Sequence, residues 1–223
     1  MPNDHITPRI ARWVCLALIV LALPRIARSS DGTGTVAFLT SGAMPSGLVE
    51  RVQIHLGLNL GISIRPVASP NEPVHEFDAA AEAWTKLRVP RDHCLIALVT
   101  PATATNLRGR VYFNESVGIL NVQHLATIKP HIKDLSIEEH IARRVEKEAM
   151  RAVGLLLGMQ ACPSVRCAMR TPAGASELDN KGRNYCPPCW AQSMRITGVD
   201  LQERNRRMFE GNGIAPDQKK SPR

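Results

Sequence analysis

Four of the six cysteines in this 223-residue chain fall in two close pairs, Cys162-x4-Cys167 and Cys186-x2-Cys189. Thiols at these spacings can do three kinds of chemistry. As thiolates they hold a structural zinc ion, which takes four sulfur ligands at the corners of a tetrahedron. In an oxidising compartment they pair as disulfides. A C-x-x-C pair such as Cys186-Pro-Pro-Cys189 can also exchange thiol for disulfide, provided one thiol has a lowered pKa. The other two cysteines belong elsewhere. Cys15 lies in an apolar N-terminal run. Cys94 opens the apolar stretch Cys94–Val99, CLIALV, and reads as a small buried hydrophobe.

The element that must position the cysteine pairs runs just ahead of them. Ser136 with Glu139 three residues on has the form of a capping box. Ile137, Ile141, Val145, Ala149, Ala152, Val153, Leu156 and Leu157 then make an apolar stripe at helical spacing, and Gly158 is a natural C-terminal stop. Arg144, Glu148, Arg151 and Leu155 stand on the neighbouring face, where Glu148 is spaced to pair with either arginine.

Upstream, Thr35–Thr40 reads as a strand, Ser46–Leu60 as an amphipathic helix stopped by Gly61, and Ile62–Val67 as a short strand. Ala79–Leu87 is a helix between prolines, and His93–Thr100 is a buried strand. Arg110–Phe113 and Val117–Val122 are two short strands, the second weakened by Gly118. Residues 171–185 read as a polar loop; Trp190–Arg195 and Val199–Phe209 read as helical. The order strand, helix, strands, long helix, cysteine loops gives an α/β domain over residues 31–209, with a disordered basic tail over 210–223.

The segment Lys147–Met169, KEAMRAVGLLLGMQACPSVRCAM, followed by the pair at Cys186 and Cys189, resembles the zinc-protease segment of the archaemetzincins, a family of metzincin-clan metallopeptidases. The resemblance is specific over about residues 147–189 and extends upstream as element order only. It implies a small mixed sheet, a long central helix and a C-terminal loop region held by one structural zinc on Cys162, Cys167, Cys186 and Cys189. The gap from Met169 to Cys186 is about one residue shorter than the family pattern, a difference a loop absorbs. Met169 corresponds to the Met-turn methionine.

The catalytic half of that pattern departs from the family. A metzincin site is written H-E-x-x-H-x-x-G-x-x-H, with three histidines for the zinc and a Glu as general base. With Gly158 as the turn glycine, Arg151 and Leu155 occupy the first two His positions, Ala152 the Glu position and Ala161 the third His position. Arg151 is a permanent cation that repels a zinc ion, and Leu155 and Ala161 offer no lone pairs. The resemblance therefore implies a metallopeptidase fold without its catalytic groups, acting as a peptide- or protein-binding pseudoenzyme. Two other readings stand beside it. One is an active aminopeptidase-like metallopeptidase whose zinc site is rebuilt elsewhere, with His75, Glu76, Asp78, His124, His131 and His140 as possible ligands. The other is a thiol–disulfide oxidoreductase using Cys186 and Cys189.

Composition narrows the partners. Apolar content of 44% suits a globular core, and 4% aromatics makes that core aliphatic. Arg9 and Arg12 precede the 11-residue apolar run Trp13–Leu23. That pattern is an export signal or an N-terminal anchor over residues 1–30, and it is short for a spanning helix. The expectation is an exported or membrane-anchored protein, with the cytoplasm as the alternative. The formal charge is +8, and it falls to +5 without residues 1–28. Arg166, Arg170, Lys181 and Arg183 among the cysteines read as solvated loop charges, so no nucleic-acid partner is expected. The chain reads as a monomer that meets a membrane only through its N-terminal segment.

Overall fold

In the computed structural model, residues 34–69, 74–103, 105–132, 134–200 and 202 are described. The expected export segment, the tail and most of the expected helix Val199–Phe209 lie outside them.

Three strands form the middle of the sheet: β1 (Thr35–Ser41), β3 (Asp92–Val99) and β5 (Val117–Asn121), all parallel. β2 (Ser63–Pro66) adds in parallel beside β1, and β4 (Gly109–Tyr112) pairs antiparallel with β5. The order is β2-β1-β3-β5-β4, so β4 is an edge and β5 is internal. Pro66 sits at the other edge, where a missing N–H costs no ladder bond.

Both faces of the sheet are covered, which is why β1 and β3 read as continuous apolar runs rather than alternating ones. Val36, Phe38, Cys94, Ile96, Leu98 and Leu120 face one core, shared with α1 (Leu48–Leu60) and the long helix α4 (Ile137–Leu156). Ala37, Leu39, Leu95, Ala97, Val99, Val117 and Ile119 face a second core, closed by Val74 and by Phe77, Ala81 and Trp84 of α2 (Phe77–Thr85). α1 buries Leu48, Val52, Leu56 and Leu60 at four-residue spacing and leaves Ile54 exposed. Gly61 takes a left-handed φ of 69° at its C-terminus.

Ser136 caps α4 by accepting from the Glu139 amide at 3.2 Å. Only that half of the expected capping box forms, because the Glu139 carboxylate turns to Arg51 and Arg143 instead. Ile137 begins the apolar stripe in sequence but is 65% exposed; the stripe becomes core from Ala142 onward. A short helix not foreseen from the sequence, α3 (Val122–Thr127), follows β5 directly, capped by the Asn121 side chain at 2.9 Å. A second, α5 (Ala175–Asn180), stands inside the expected polar loop. α6 (Pro187–Thr197) starts on two prolines, which suit the first helical turn because their missing N–H groups would have no partner there.

Gly118 does not merely weaken β5. A Cβ there would lie 3.2 Å from the Ala152 Cβ and 3.5 Å from Leu156 Cδ1, so its absence lets α4 pack closely on the sheet.

Candidate metal centre and cleft

The four paired cysteines converge. The Sγ atoms of Cys162, Cys167, Cys186 and Cys189 all lie within 4.8 Å of one another, and Cys162 and Cys186 stand 3.7 Å apart. A tetrahedron with Zn–S bonds of about 2.3 Å places its sulfurs about 3.8 Å apart. The donor set and its spacing therefore fit a zinc ion, and all four thiols are free to supply ligands. Among the described residues this is the one group of three or more metal-ligating side chains close enough to hold an ion.

Sequence-distant parts of the chain build this site. Cys162 and Cys167 follow the α4 turn, and Cys186 is the N-cap of α6 with Cys189 in its first turn. That placement puts C-P-P-C at a helix N-terminus, a setting that the polar run Asn180–Asn184 did not suggest. The helix end favours negative charge on either thiolate. Burial would raise the Cys186 thiol, but the Cys189 amide and the neighbouring thiols outweigh it and hold it below its ordinary value. Burial pushes the Cys167 thiol up. Cys94 is fully buried, as expected, and its thiol is pushed up to about 12 by that burial.

The cysteine region is fastened to α4 by buried polar groups. Arg144 grips Asp179 in a bidentate pair at 2.6 and 2.7 Å, with both side chains at most 2% exposed. It also donates to the Leu125 and Ile128 carbonyls, tying in the end of α3. Lys147 donates to the carbonyls of Leu178 and Asp179 at 2.9 and 2.5 Å, capping the end of α5. Its burial lowers its pKa to about 8. Lys181 meets Glu148 at 2.7 Å and also donates to the Ala168 and Arg170 carbonyls. Gly154 admits Met169 and Tyr185 against the helix; a Cβ there would lie 2.8 Å from the Tyr185 Oη.

These contacts correct three expectations. Arg144 lies two turns before Arg151 on the same helix face but does not line the cleft, and its partner is Asp179 rather than Glu148. Lys181 is not a solvated loop charge but a buried one. Arg183 pairs with Glu146 at 3.0 Å. None of these partnerships was visible in the sequence, because the partners lie 31 to 37 residues apart.

Beside this region, along α4, lies a cleft of about 670 Å³. Its wall is the β4 edge from Arg108 to Val111, with Asn106, Leu107 and Phe113. Leu120, Ala152 and Leu155 form its floor, and Glu148, Arg151, Thr171 and Pro172 complete it. Three of the four positions at which the family carries catalytic groups are therefore together in one cleft: Arg151, Ala152 and Leu155. Ala161 lies past the turn at Gly158, exposed, and outside the cleft lining. Gly158 itself has the left-handed φ of 81° expected of the turn glycine.

The histidines weighed for a rebuilt site lie apart. His75, Glu76 and Asp78 are exposed before and at the start of α2, and Asp78 takes hydrogen bonds from Arg110 and Tyr112. His140 is buried and bonded to the Ile132 carbonyl at 2.6 Å, while His131 is exposed. His124 is on α3, with its pKa lowered by burial.

Residues 109–195 match Peptidase family M54. An archaemetzincin of Thermococcus kodakarensis is 35% identical over 66 residues, 30% of this chain and 36% of that protein. An archaemetzincin of Natronomonas pharaonis is 29% identical over 85 residues, 38% of this chain and 49% of that one. The chain thus spans about a third to a half of the length of these relatives. The fold matches the crystal structure of a zinc-dependent peptidase from Methanocorpusculum labreanum with a TM-score of 0.56 at 18% identity, over 71% of this chain and 99% of that one. It also matches the archaemetzincin of Methanopyrus kandleri with a TM-score of 0.54 at 19% identity, over 78% and 99%.

Proposed function

We propose that this chain, whose residues 109–195 match Peptidase family M54, is an archaemetzincin-like protein that binds peptide or protein segments without cleaving them, around one structural zinc. One observation carries this reading. The four-thiol cluster and the cleft are both built, but the cleft presents Arg151, Ala152 and Leu155 where zinc ligands and a base would stand.

The zinc would be held by Cys162, Cys167, Cys186 and Cys189. Four thiolates close its coordination, so it would serve the fold and leave no position for a reacting water. Its binding free energy would be folding free energy for the segment from Cys162 to α6. In the cleft, no lone pair from Arg151, Ala152 or Leu155 is available to activate water. Those residues can still bind: Ala152 and Leu155 offer apolar floor, Arg151 a cation, and β4 an open strand edge to which an extended segment can add. We further propose that residues 1–30 export the protein or anchor it to a membrane.

The test is metal content of purified residues 31–223 by mass spectrometry, with a thiol count and a peptidase assay on the same sample. One zinc per chain, masked thiols and no cleavage of unblocked peptides are expected. Two zincs, or cleavage abolished by chelator, would overturn the non-catalytic reading. No zinc with two disulfides would overturn the structural-zinc part.

A further inference from the structure

The charges lining the cleft do not balance, and the imbalance points to a ligand. Four ionisable side chains line it: Arg108, Arg110, Glu148 and Arg151. Arg110 is committed to Asp78 at 2.8 Å and lies over the Tyr112 ring at 5.2 Å. Glu148 is committed to Lys181, whose amino group reaches it at 2.7 Å from below the helix. Arg108 makes no ion pair among the described residues. Arg151 lies 3.6 Å from Glu148, beyond hydrogen-bond length, and its Nε is buried with no hydrogen-bond partner. Glu148 thus serves two cations, Lys181 at hydrogen-bond length and Arg151 in a longer ion pair, and Arg108 has no ion pair among the described residues, so the cleft keeps a net positive charge.

An arginine so placed is poorly satisfied. A guanidinium has five N–H donors in a planar fork, and its matching partner is a carboxylate that can take two at once. The surroundings suit a carboxylate that arrives on an extended chain. The open edge of β4 offers unpaired backbone groups along the cleft wall. The floor is apolar at Leu120, Ala152 and Leu155, and the rim carries two exposed hydrophobic side chains, Leu107 and Phe113. On an added strand, alternate side chains point the same way, so an acidic residue turned to the floor has apolar neighbours available for the rim.

We propose that this cleft docks an extended acidic peptide segment along β4, with one Asp or Glu side chain held by Arg151, Arg108 reinforcing it, and flanking apolar residues resting on Leu107 and Phe113. Arg151, at the family's first histidine position, is then the anchor of a carboxylate rather than a gap left by a metal ligand. The proposal deepens the peptide-binding reading above and rests on it.

The test uses the full chain and fluorescein-labelled heptapeptides, acetylated and amidated to remove terminal charge, with alternating valines and a central Glu, Gln or Lys. A fourth peptide has the Gln centre and a free C-terminal carboxylate. Fluorescence anisotropy is read at low and physiological salt. The Glu peptide is expected to bind about tenfold more tightly than the Gln peptide, and the Lys peptide weakest, since a charged hydrogen bond exceeds a neutral one by about that factor. Arg151→Gln is expected to erase the Glu-over-Gln preference while leaving Gln-peptide binding in place. Arg151→Lys, which keeps the charge without the fork, is expected to retain part of it. A thermal melt of each variant checks folding.

Equal binding of the Glu and Gln peptides would overturn carboxylate recognition and leave peptide binding standing. No binding of any peptide would overturn both. Preference for the free C-terminal carboxylate would overturn side-chain recognition. A preference that survives Arg151→Gln would overturn the assignment of Arg151.

Discussion

Asp179→Asn tests the device that fastens the cysteine region to the long helix. Asp179 is almost fully buried and is the sole acidic partner of Arg144 among the described ion pairs. Asparagine fits the same space and still accepts from the His131 amide, which bonds Asp179 at 3.0 Å. What it removes is the counter-charge of a guanidinium that is 1% exposed. Breaking a buried pair by deleting one partner costs about 3–5 kcal/mol, because the surviving charge is left uncompensated. At an m-value of about 3 kcal/mol/M in urea, that is a midpoint drop of roughly 1–1.7 M. The double variant Arg144→Met with Asp179→Leu removes both charges. It also strands the Leu125 and Ile128 carbonyls that Arg144 serves, at about 1–3 kcal/mol for each if buried. It is therefore expected to lose less than the sum of the two single variants, because no unpaired charge is left buried. Urea unfolding of the parent, Arg144→Met, Asp179→Leu and the double variant completes the cycle, with Asp179→Asn measured beside it. A loss under about 1 kcal/mol for Asp179→Asn, or a double variant equal to the sum of the singles, would refute the reasoning.

Gly154→Ala should destabilise by about 1–3 kcal/mol in thermal melts, because the added methyl meets Met169 and the Tyr185 hydroxyl; a gain of up to about 1 kcal/mol, the ordinary effect of Ala for Gly inside a helix, would show that this contact gives way. Hydrogen bonds from Arg51 hold the Glu139 carboxyl down at about 2, against an ordinary 4.5. A depressed acid stabilises fully above its unfolded pKa, so this contribution should be present at neutral pH and fade as pH falls from about 4.5 toward 2. The Arg51→Met variant should show a shallower pH slope of unfolding free energy across that window.

Much of the fold was legible because its signals are local. The apolar runs of β1 and β3, the Ser136 cap, and the stops at Gly61 and Gly158 each sit within a few residues of the element they define. The cysteine convergence was legible from spacing and order. Two things were not. α3 and α5 are six-residue helices too short for periodicity to register, and tertiary packing places them. The partners of Arg144, Lys147 and Lys181 are set by how α4 crosses the later segment, which no pairwise spacing along the helix reveals. Glu148 showed this most plainly. Its helical neighbours Arg144 and Arg151 were the obvious partners, but the shortest contact is to Lys181, 33 residues on.

The arrangement of α4 explains how the four-cysteine cluster can be built beside a cleft that presents Arg151, Ala152 and Leu155. Positions 144, 147 and 154 turn toward the cysteine region, through Asp179, the end of α5, and Met169 with Tyr185. Positions 151, 152 and 155 turn toward β4 and β5. At 3.6 residues per turn, 147 and 154 fall in a sector beside that of 151, 152 and 155, while 144 shares the cleft residues' face two turns earlier, so changing the cleft residues leaves the anchors of the cysteine site untouched. Ala152 also meets the space left by Gly118, so the cleft position of the general base has become part of the helix–sheet contact. Glu148 alone touches both sectors, holding Lys181 of the cysteine region and standing 3.6 Å from Arg151 of the cleft. Because Glu148 is shared between Lys181 and the longer ion pair to Arg151, one carboxylate faces two cations. The same contact that secures the cysteine loops thus leaves the cleft cationic beside an open strand edge, the two features on which the proposed docking of an acidic segment rests.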